Sequence, residues 1–179
     1  MRVFVYEYLT AMGIGREPNS PEHGMYREGR AMRDAVVADF ERIPGVEVFA
    51  FPDEAAPVEP LTFRGAVALS DWVLVIAPES EGILADLVKA IPDPTNRLLA
   101  PSLTAITLTS DKLSLTEHWR SHGVRTPATT DREPTPCEAF PLVWKPRDGA
   151  GSTATFRLNT AFDAVSAKAQ LAAEPASGR

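Results

Sequence analysis

The chain has 179 residues, of which 44% are hydrophobic and 23% charged, and its formal net charge is -6 at pH 7. This composition suffices for a packed core, and an acidic balance without any basic block argues against a nucleic-acid-binding surface. The single cysteine, Cys137, excludes an intrachain disulfide framework and a cysteine-rich metal site. No apolar run approaches membrane-spanning length and no signal peptide follows Met1, so we expect a cytoplasmic protein outside the membrane.

Three apolar runs in the first half of the chain predict strands that are buried on both faces. They lie at residues 2–7, 46–51 and 71–77. Helical patterns separate them, and strands that alternate with helices predict a parallel sheet with right-handed crossovers. We therefore expect an α/β domain at residues 1–102, which ends in the linker after the third strand and its helix.

The segments between these strands are predicted to be helices and one long loop. The helices are expected at residues 28–43, 61–70 and 82–91. The first of them places Met32, Val36 and Phe40 at helical spacing, as an apolar face. Residues 9–25 are rich in Gly, Pro, Asn and Ser, which predicts a weakly ordered loop on the substrate side of the sheet.

Ligands of parallel sheets bind at the carboxyl ends of the strands. Tyr6 and Glu7 end the first strand and Glu79 follows the third, so these three are candidate substrate-binding residues. For Glu79 the alternative is a favourable charge at the start of the next helix. Gly13 and Gly15 fit only part of the dinucleotide-binding pattern and lie too far from the strand, so a dinucleotide fold is not expected.

The composition changes after residues 92–94, and the remaining part of the chain predicts a smaller α+β unit. A helix is expected to begin near Ser110 and to end at Gly123. Lys112 in its first turn opposes the helix dipole, which suggests an anionic ligand, although an exposed lysine is the alternative. His118 and His122 are expected to be surface or packing residues, because no further metal-ligand cluster accompanies them.

Residues 140–158 predict a strand with one cation, a glycine turn with hydroxyls, and a second strand. Lys145 would be a fixed charge for phosphate beneath the turn. The turn residues could form an anion-binding concavity of N–H and hydroxyl groups: Gly149, Gly151, Ser152 and Thr153. The alternative is an ordinary glycine-rich hairpin with an exposed lysine. A last helix, capped by Asn159 or Thr160, would have four apolar positions: Phe162, Val165, Ala169 and Leu171.

These motifs together resemble the N-terminal half of an ATP-grasp enzyme. They are Ser110-Asp-Lys-Leu, Gly123-Val-Arg-Thr-Pro127, Pro141-Leu-Val-Trp-Lys-Pro and Asp148-Gly-Ala-Gly-Ser152. Three further segments are similar to the subgroup that includes tyramine–glutamate ligase of methanofuran synthesis: Phe4-Val-Tyr-Glu-Tyr8, Glu28-Gly-Arg-Ala-Met32 and Ala77-Pro-Glu-Ser-Glu81.

The resemblance implies a Rossmann-like pre-ATP-grasp domain at 1–102 and a partial ATP-grasp N-terminal lobe at 103–179, with no match to the C-terminal lobe. Lys112 and Lys145 would contact the nucleotide, and residues 149–153 would be the loop that folds over the triphosphate. The family joins small-molecule carboxylates to amines through an acylphosphate, using ATP and Mg²⁺.

Neither the adenine hinge nor the magnesium ligands of the family find a match in this sequence, so we expect the chain alone to bind ATP weakly and to be inactive. The alternative is a non-catalytic α/β binding or interaction module that keeps the scaffold. A response-regulator-like domain is disfavoured, since no acidic cluster with a matched lysine follows the first strand. A homodimer is compatible with the sequence, which does not set the oligomeric state.

Overall fold

The computed structural model describes residues 1–52, 60–135, 139–149 and 154–173. The chain divides into two compact units, Met1–Thr107 and Leu108–Arg179. The elements of the first unit are, in chain order, β1 (Arg2–Glu7), α1 (Tyr8–Met12), α2 (His23–Glu41), β2 (Glu47–Ala50), α3 (Pro60–Ala68), β3 (Trp72–Ile76), a 3₁₀ turn (Ser80–Gly82), α4 (Ile83–Lys89) and α5 (Pro94–Arg97).

The second unit is smaller. Helix α6 (Leu103–Ser110) spans the division, and the elements after it are α7 (Lys112–Ser121), β4 (Leu142–Trp144), β5 (Phe156–Leu158) and α8 (Ala161–Ala173). The contact-based division thus falls inside α6, and the domain boundary expected after residue 102 stays a prediction. None of the helices in the described ranges combines the length and the apolarity that crossing a bilayer requires.

The first unit contains a parallel sheet of order β2-β1-β3, which confirms the predicted sheet. Phe4 of β1 lies opposite Phe49 of β2 and Val73 of β3. Because β1 is flanked on both edges and covered on both faces, Val3, Phe4 and Val5 are fully buried. Leu98, which follows α5, forms an isolated parallel bridge to Val73 that the sequence did not predict.

Aromatic rings form the centre of the first unit's core. The ring of Phe4 stacks on that of Phe49 with centroids 5.1 Å apart and meets Phe51 edge-on at 5.2 Å. Tyr6 and Phe63 meet edge-on at 4.8 Å. Such tilted and offset pairs stabilise beyond the burial of their area, by about 0.5–1.5 kcal/mol each. This cluster fixes β1 in position, and the end of β1 carries Tyr6 and Glu7.

The prediction of a loop at residues 9–25 was wrong for the first part of that range. Tyr8–Met12 forms the short helix α1, in which Leu9, Thr10 and Ala11 are buried. Two local features account for the difference: the Glu7 carboxylate caps this helix, and Gly13 ends it with a positive φ of 66°. Turns follow, and α2 already begins at His23 rather than near residue 28.

The buried face of α2 also differs from the predicted one. Met32 is 44% exposed, whereas Tyr26, Gly29 and Arg33 are buried. The helix turns this face toward the sheet because Gly29, without a side chain, lets α2 approach the Glu7 carboxylate. Helical periodicity alone does not reveal so close an approach.

The second unit contains the predicted hairpin. Strand β4 pairs antiparallel with β5, with Val143 opposite Arg157. On one face of the hairpin, Leu158 packs with Ala164 and Ala167 of α8. The predicted apolar face of α8 was wrong, because Phe162 is 84% and Val165 67% exposed. Small alanines, which allow close packing, cover the hairpin instead.

Candidate functional site

The N-terminus of α7 is capped by Asp111, one residue beyond the predicted start. Its Oδ1 accepts hydrogen bonds from the backbone N–H groups of Leu113 at 3.0 Å and Ser114 at 3.1 Å. The Arg147 guanidinium donates to the same carboxylate, with Nε 2.9 Å from Oδ1 and Nη2 2.6 Å from Oδ2. Hydrogen bonding from Arg147, reinforced by Ser114, holds the pKa of Asp111 well below its usual range. The carboxylate in turn raises the pKa of Arg147.

Lys112 connects α7 to the start of the glycine loop. Its backbone N–H donates to the Arg147 carbonyl at 3.0 Å. Its ammonium donates to the carbonyl oxygens of Asp148 at 2.8 Å and Gly149 at 2.9 Å. The positive charge is therefore satisfied by neutral oxygens, which phosphate oxygens could replace with a gain in charge-assisted bonding.

Lys145 follows β4 directly and is exposed. Within the described residues it makes no hydrogen bond and no ion pair. Leu142 and Trp144 of the same strand pack toward the core of the unit, whereas Val143 between them is 64% exposed. The hairpin thus has one covered face and one open face, and Lys145 is available to an anion.

Two cations that the sequence analysis did not single out belong to this region. Arg147 donates hydrogen bonds to Asp111. An arginine two residues before a predicted glycine turn is the sequence signal that could have identified Arg147. Arg157 is exposed and lies opposite Val143 on the open face of the hairpin. The two-residue alternation of β5 would have placed it there.

The glycine loop is described only at its beginning. Gly149 adopts a φ of +84°, and apart from its chain neighbours no heavy atom of the described residues lies within 4 Å of the position that a Cβ would take. Gly151, Ser152 and Thr153 lie outside the described residues. Their role in phosphate binding stays a prediction.

Tyr6 and Glu7 are both 3% exposed. Burial raises the pKa of Tyr6 to about 12, with smaller contributions from Tyr8 and Glu7. The Glu7 carboxylate accepts hydrogen bonds from the N–H groups of Leu9 at 3.1 Å and Thr10 at 2.7 Å. The structure thus gives Glu7 a structural partner on each oxygen, and its assignment as a substrate contact stays a prediction.

Glu79 is partly buried, precedes the 3₁₀ turn and makes no side-chain capping bond there. Like Tyr6 and Glu7 it belongs to the first unit, whereas Lys112, Lys145 and Gly149 belong to the second. The predicted phosphate-contacting residues that are described therefore share one unit, and the predicted substrate-contacting residues share the other.

The described part of the chain contains no candidate metal site with three protein ligands, because no three His, Cys, Asp or Glu side chains converge there. The rings of His118 and His122 lie 4.3 Å apart, and Nδ1 of His122 is 2.9 Å from the His118 carbonyl oxygen. Cys137 lies outside the described residues. Lys112 and Lys145 are cations of the kind that bind phosphate, whereas no magnesium site is found among the described residues.

Comparison with known proteins relates the chain to the ATP-grasp superfamily. Residues 31–106 match the pre ATP-grasp 3 domain family. A solved structure from Archaeoglobus fulgidus, assigned to the ATP-grasp superfamily, is similar with a TM-score of 0.63 and 28% sequence identity, over 83% of this chain and 47% of that chain. The chain thus spans about half the length of that relative. Among curated proteins no significant match was found.

These similarities and the architecture confirm the predicted fold class: a parallel-sheet pre-ATP-grasp domain followed by a small α+β lobe. The superfamily relationship is supported in the same way. The tyramine–glutamate ligase subgroup stays a prediction.

Proposed function

We propose that the chain provides the pre-ATP-grasp domain and nucleotide-contacting residues of an ATP-dependent ligase, which joins a small-molecule carboxylate to an amine through an acylphosphate. One observation carries this proposal. Lys112 and Lys145 resemble in position the two lysines of the ATP-grasp motifs, and neither pairs with a carboxylate in the described residues.

Phosphoryl transfer is promoted mainly by positioning and by stabilising negative charge, so unpaired cations beside a glycine loop are the groups it needs. Lys112 would exchange the carbonyls of Asp148 and Gly149 for phosphate oxygens. Lys145 would approach from the open face of the hairpin. ATP would supply the phosphoryl group that activates the carboxylate.

Magnesium enters the proposal only through the superfamily. The described residues supply no ligand set for it. We therefore assign it no residue of this chain.

A narrower proposal places the chain in the subgroup of tyramine–glutamate ligase. Its support is the similarity at residues 4–8, 28–32 and 77–81. Two of these segments meet in the first unit, where Glu7 caps α1 and a Cβ on Gly29 would lie 2.5 Å from Glu7 Oε1. This part of the similarity therefore supports a shared fold more strongly than a shared acid or amine substrate.

The second candidate is a non-catalytic binding or interaction module. It is favoured by one observation, namely that both oxygens of Glu7, the predicted substrate-side carboxylate, bond to α1. Nucleotide binding separates the two candidates, because the module has no need of it.

The test is an ATP titration of the ¹⁵N-labelled chain, with and without magnesium, followed by amide chemical shifts. We expect weak binding with shifts at Lys112, Leu113 and Gly149, and a loss of these shifts in Lys112→Ala and Lys145→Ala. Lys89→Ala, which removes an exposed lysine paired with Asp86 in the first unit, is the control.

Absence of any ATP-dependent shift in the wild-type chain would reject the nucleotide proposal and leave the interaction module. A second assay mixes the chain with ATP, magnesium and pairs of acids and amines. We expect no turnover, and ADP release above background would contradict the expectation that this chain is inactive by itself.

A further inference from the structure

The C-terminal end of α7 carries two histidines that are one helical turn apart. His118 and His122 are separated by four residues, so their side chains lie on the same face of the helix. Their ring centroids are 4.3 Å apart, with the ring planes tilted by 39°. Both residues are exposed. Two imidazoles therefore lie side by side in solvent, at the end of α7 opposite to Lys112.

The hydrogen bonds of His122 determine which of its ring nitrogens is free. Its Nδ1 is 2.9 Å from the His118 carbonyl oxygen and 3.1 Å from Oγ of Ser121. Because a carbonyl oxygen only accepts, Nδ1 carries the proton and Nε2 keeps the lone pair of the neutral ring. Histidines that bind metals are commonly oriented in this way, with the other ring N–H donating to a backbone carbonyl.

The ring of His118 makes no hydrogen bond within the described ranges, and it contacts the His122 ring. Two imidazoles that bind one metal ion side by side, each at about 2.0–2.1 Å, have ring centroids about 4.5–5.2 Å apart. The observed 4.3 Å differs from this range by less than about 1 Å, which side-chain rotation supplies without a change in the helix. The pair is thus close to the geometry of a shared metal ligand.

The type of ligand decides which ions such a pair would bind. Imidazole nitrogen suits zinc, nickel and copper, whereas magnesium and calcium prefer oxygen ligands. The pair also lies at the negative end of the dipole of α7, which favours a cation. Two protein ligands leave the other coordination positions to water, unlike structural and catalytic zinc centres, which have three or four protein ligands.

We propose that His118 and His122 form a two-histidine site for a divalent transition-metal ion of the class of Zn²⁺, Ni²⁺ and Cu²⁺. The bound ion would connect the last turn of α7 to its C-cap residue and stabilise this end of the helix. The inference is independent of the proposed function, because it uses neither the lysines nor the glycine loop.

The experiment is a calorimetric titration of the untagged chain with Ni²⁺ and, separately, with Zn²⁺, each in an excess of Mg²⁺. A Cys137→Ser background removes the single thiol, which could also bind these ions. We expect one equivalent of either ion to bind, and Mg²⁺ not to compete. Bound metal should also raise the urea midpoint of the chain, since the unfolded chain lacks the site.

His118→Ala and His122→Ala should each weaken binding by more than about tenfold, because even the loss of a residue that only supports a metal ligand costs about 10–100-fold. Metal should then no longer raise the urea midpoint. The midpoint without metal shows that each variant is folded. Should His122→Ala lower that midpoint, His118→Ala carries the test, since the His118 ring makes no hydrogen bond in the part of the chain that is described.

Two controls separate the pair from histidine content alone. His23→Ala removes the third histidine, which belongs to the first unit, and should bind as the wild-type chain does. Arg120→His combined with His122→Ala keeps three histidines but places two of them two residues apart, on different faces of α7. This respaced variant should bind as weakly as His122→Ala.

Absence of binding for both ions would overturn the inference, and so would competition by Mg²⁺. Wild-type affinity in His118→Ala and His122→Ala, or a loss of binding in His23→Ala, would place the metal elsewhere. Wild-type affinity in the respaced variant would show that the spacing is irrelevant and would overturn the inference as well. Failure of the ATP titration leaves these outcomes unaffected, so the two proposals fail separately.

Discussion

Two pairs of charged side chains, one from each unit, differ in their burial. In the first unit, Glu7 is buried and caps α1, and Arg33 is buried with its guanidinium bonded to Asp34 and to the Phe51 carbonyl. In the second unit, Lys145 and Arg157 are exposed on the hairpin.

Burial explains the difference. An ionised group removed from water is costly unless its bonds are replaced, so buried charges are bonded and their neighbours are fixed. An exposed cation has no such requirement and can exchange water for an anion. The charges of this pair in the first unit are thus bonded within the fold, whereas Lys145 in the second unit is exposed, as the proposed function requires.

The largest expected effect concerns the aromatic core of the first unit. Phe4→Ala should lower the free energy of unfolding by about 3–5 kcal/mol, because it leaves a cavity among rings that include Phe49 and Phe51. Urea unfolding of a Trp119→Phe, Trp144→Phe background, in which Trp72 is the one tryptophan left, measures this by fluorescence. The control is Val143→Ala, at a 64% exposed hairpin position, which should change stability by less than about 0.5 kcal/mol. Similar costs for both variants would contradict the central place of Phe4 in the core of the first unit.

The second-largest change in stability is expected at the close approach of α2 to Glu7. Gly29→Ala should destabilise by about 1–3 kcal/mol, since its Cβ would lie 2.5 Å from Glu7 Oε1. Gly24→Ala on the same helix meets no atom within 4 Å and should stabilise by about 0.5–1 kcal/mol through better helix propensity. If the two substitutions shift the urea midpoint in the same direction, the contact with Glu7 is not structural.

The buried phenol of Tyr6 gives a pH-dependent effect. Because burial raises its pKa to about 12, the folded state keeps a proton that the unfolded state releases near pH 10. Stability should therefore fall as pH rises between about 10 and 12, by about 1–2 kcal/mol over this window. Tyr6→Phe should remove that part of the alkaline decline, measured by urea unfolding across the window. An unchanged slope in the variant would show that Tyr6 is not the group responsible.

The smallest effect on stability is expected in the second unit. Lys145→Ala should change the free energy of unfolding by less than about 0.5 kcal/mol, because the side chain is exposed and has no partner among the described residues. The same substitution should remove the ATP-dependent shifts at Gly149. A variant that is destabilised by more than this, or that still responds to ATP as the wild-type chain does, would contradict the contrast between the units.

The sequence predicted correctly those elements whose patterns are strong. The apolar runs of β1 and β3 predicted parallel strands, and the turn around Gly149 predicted the antiparallel hairpin, as the register of Val143 and Arg157 shows. It also pointed to Lys112 and Lys145, since a lysine in a first helical turn or next to a glycine loop is conspicuous without any structure. Short elements with weak patterns, α1 and α6, were missed.

The packing of the folded chain shows which faces are covered and which charges are bonded, and the sequence patterns do not. Helical spacing favoured Met32 and Phe162 as buried positions, yet both are exposed, because Gly29 and Ala164 allow closer packing than larger side chains do. The bonds of the Glu7 carboxylate to α1 likewise come from the structure alone, and its assignment as a substrate contact stays a prediction. The physical reason is that periodicity specifies which residues share a face, whereas the neighbour that covers the face comes from distant segments of the chain.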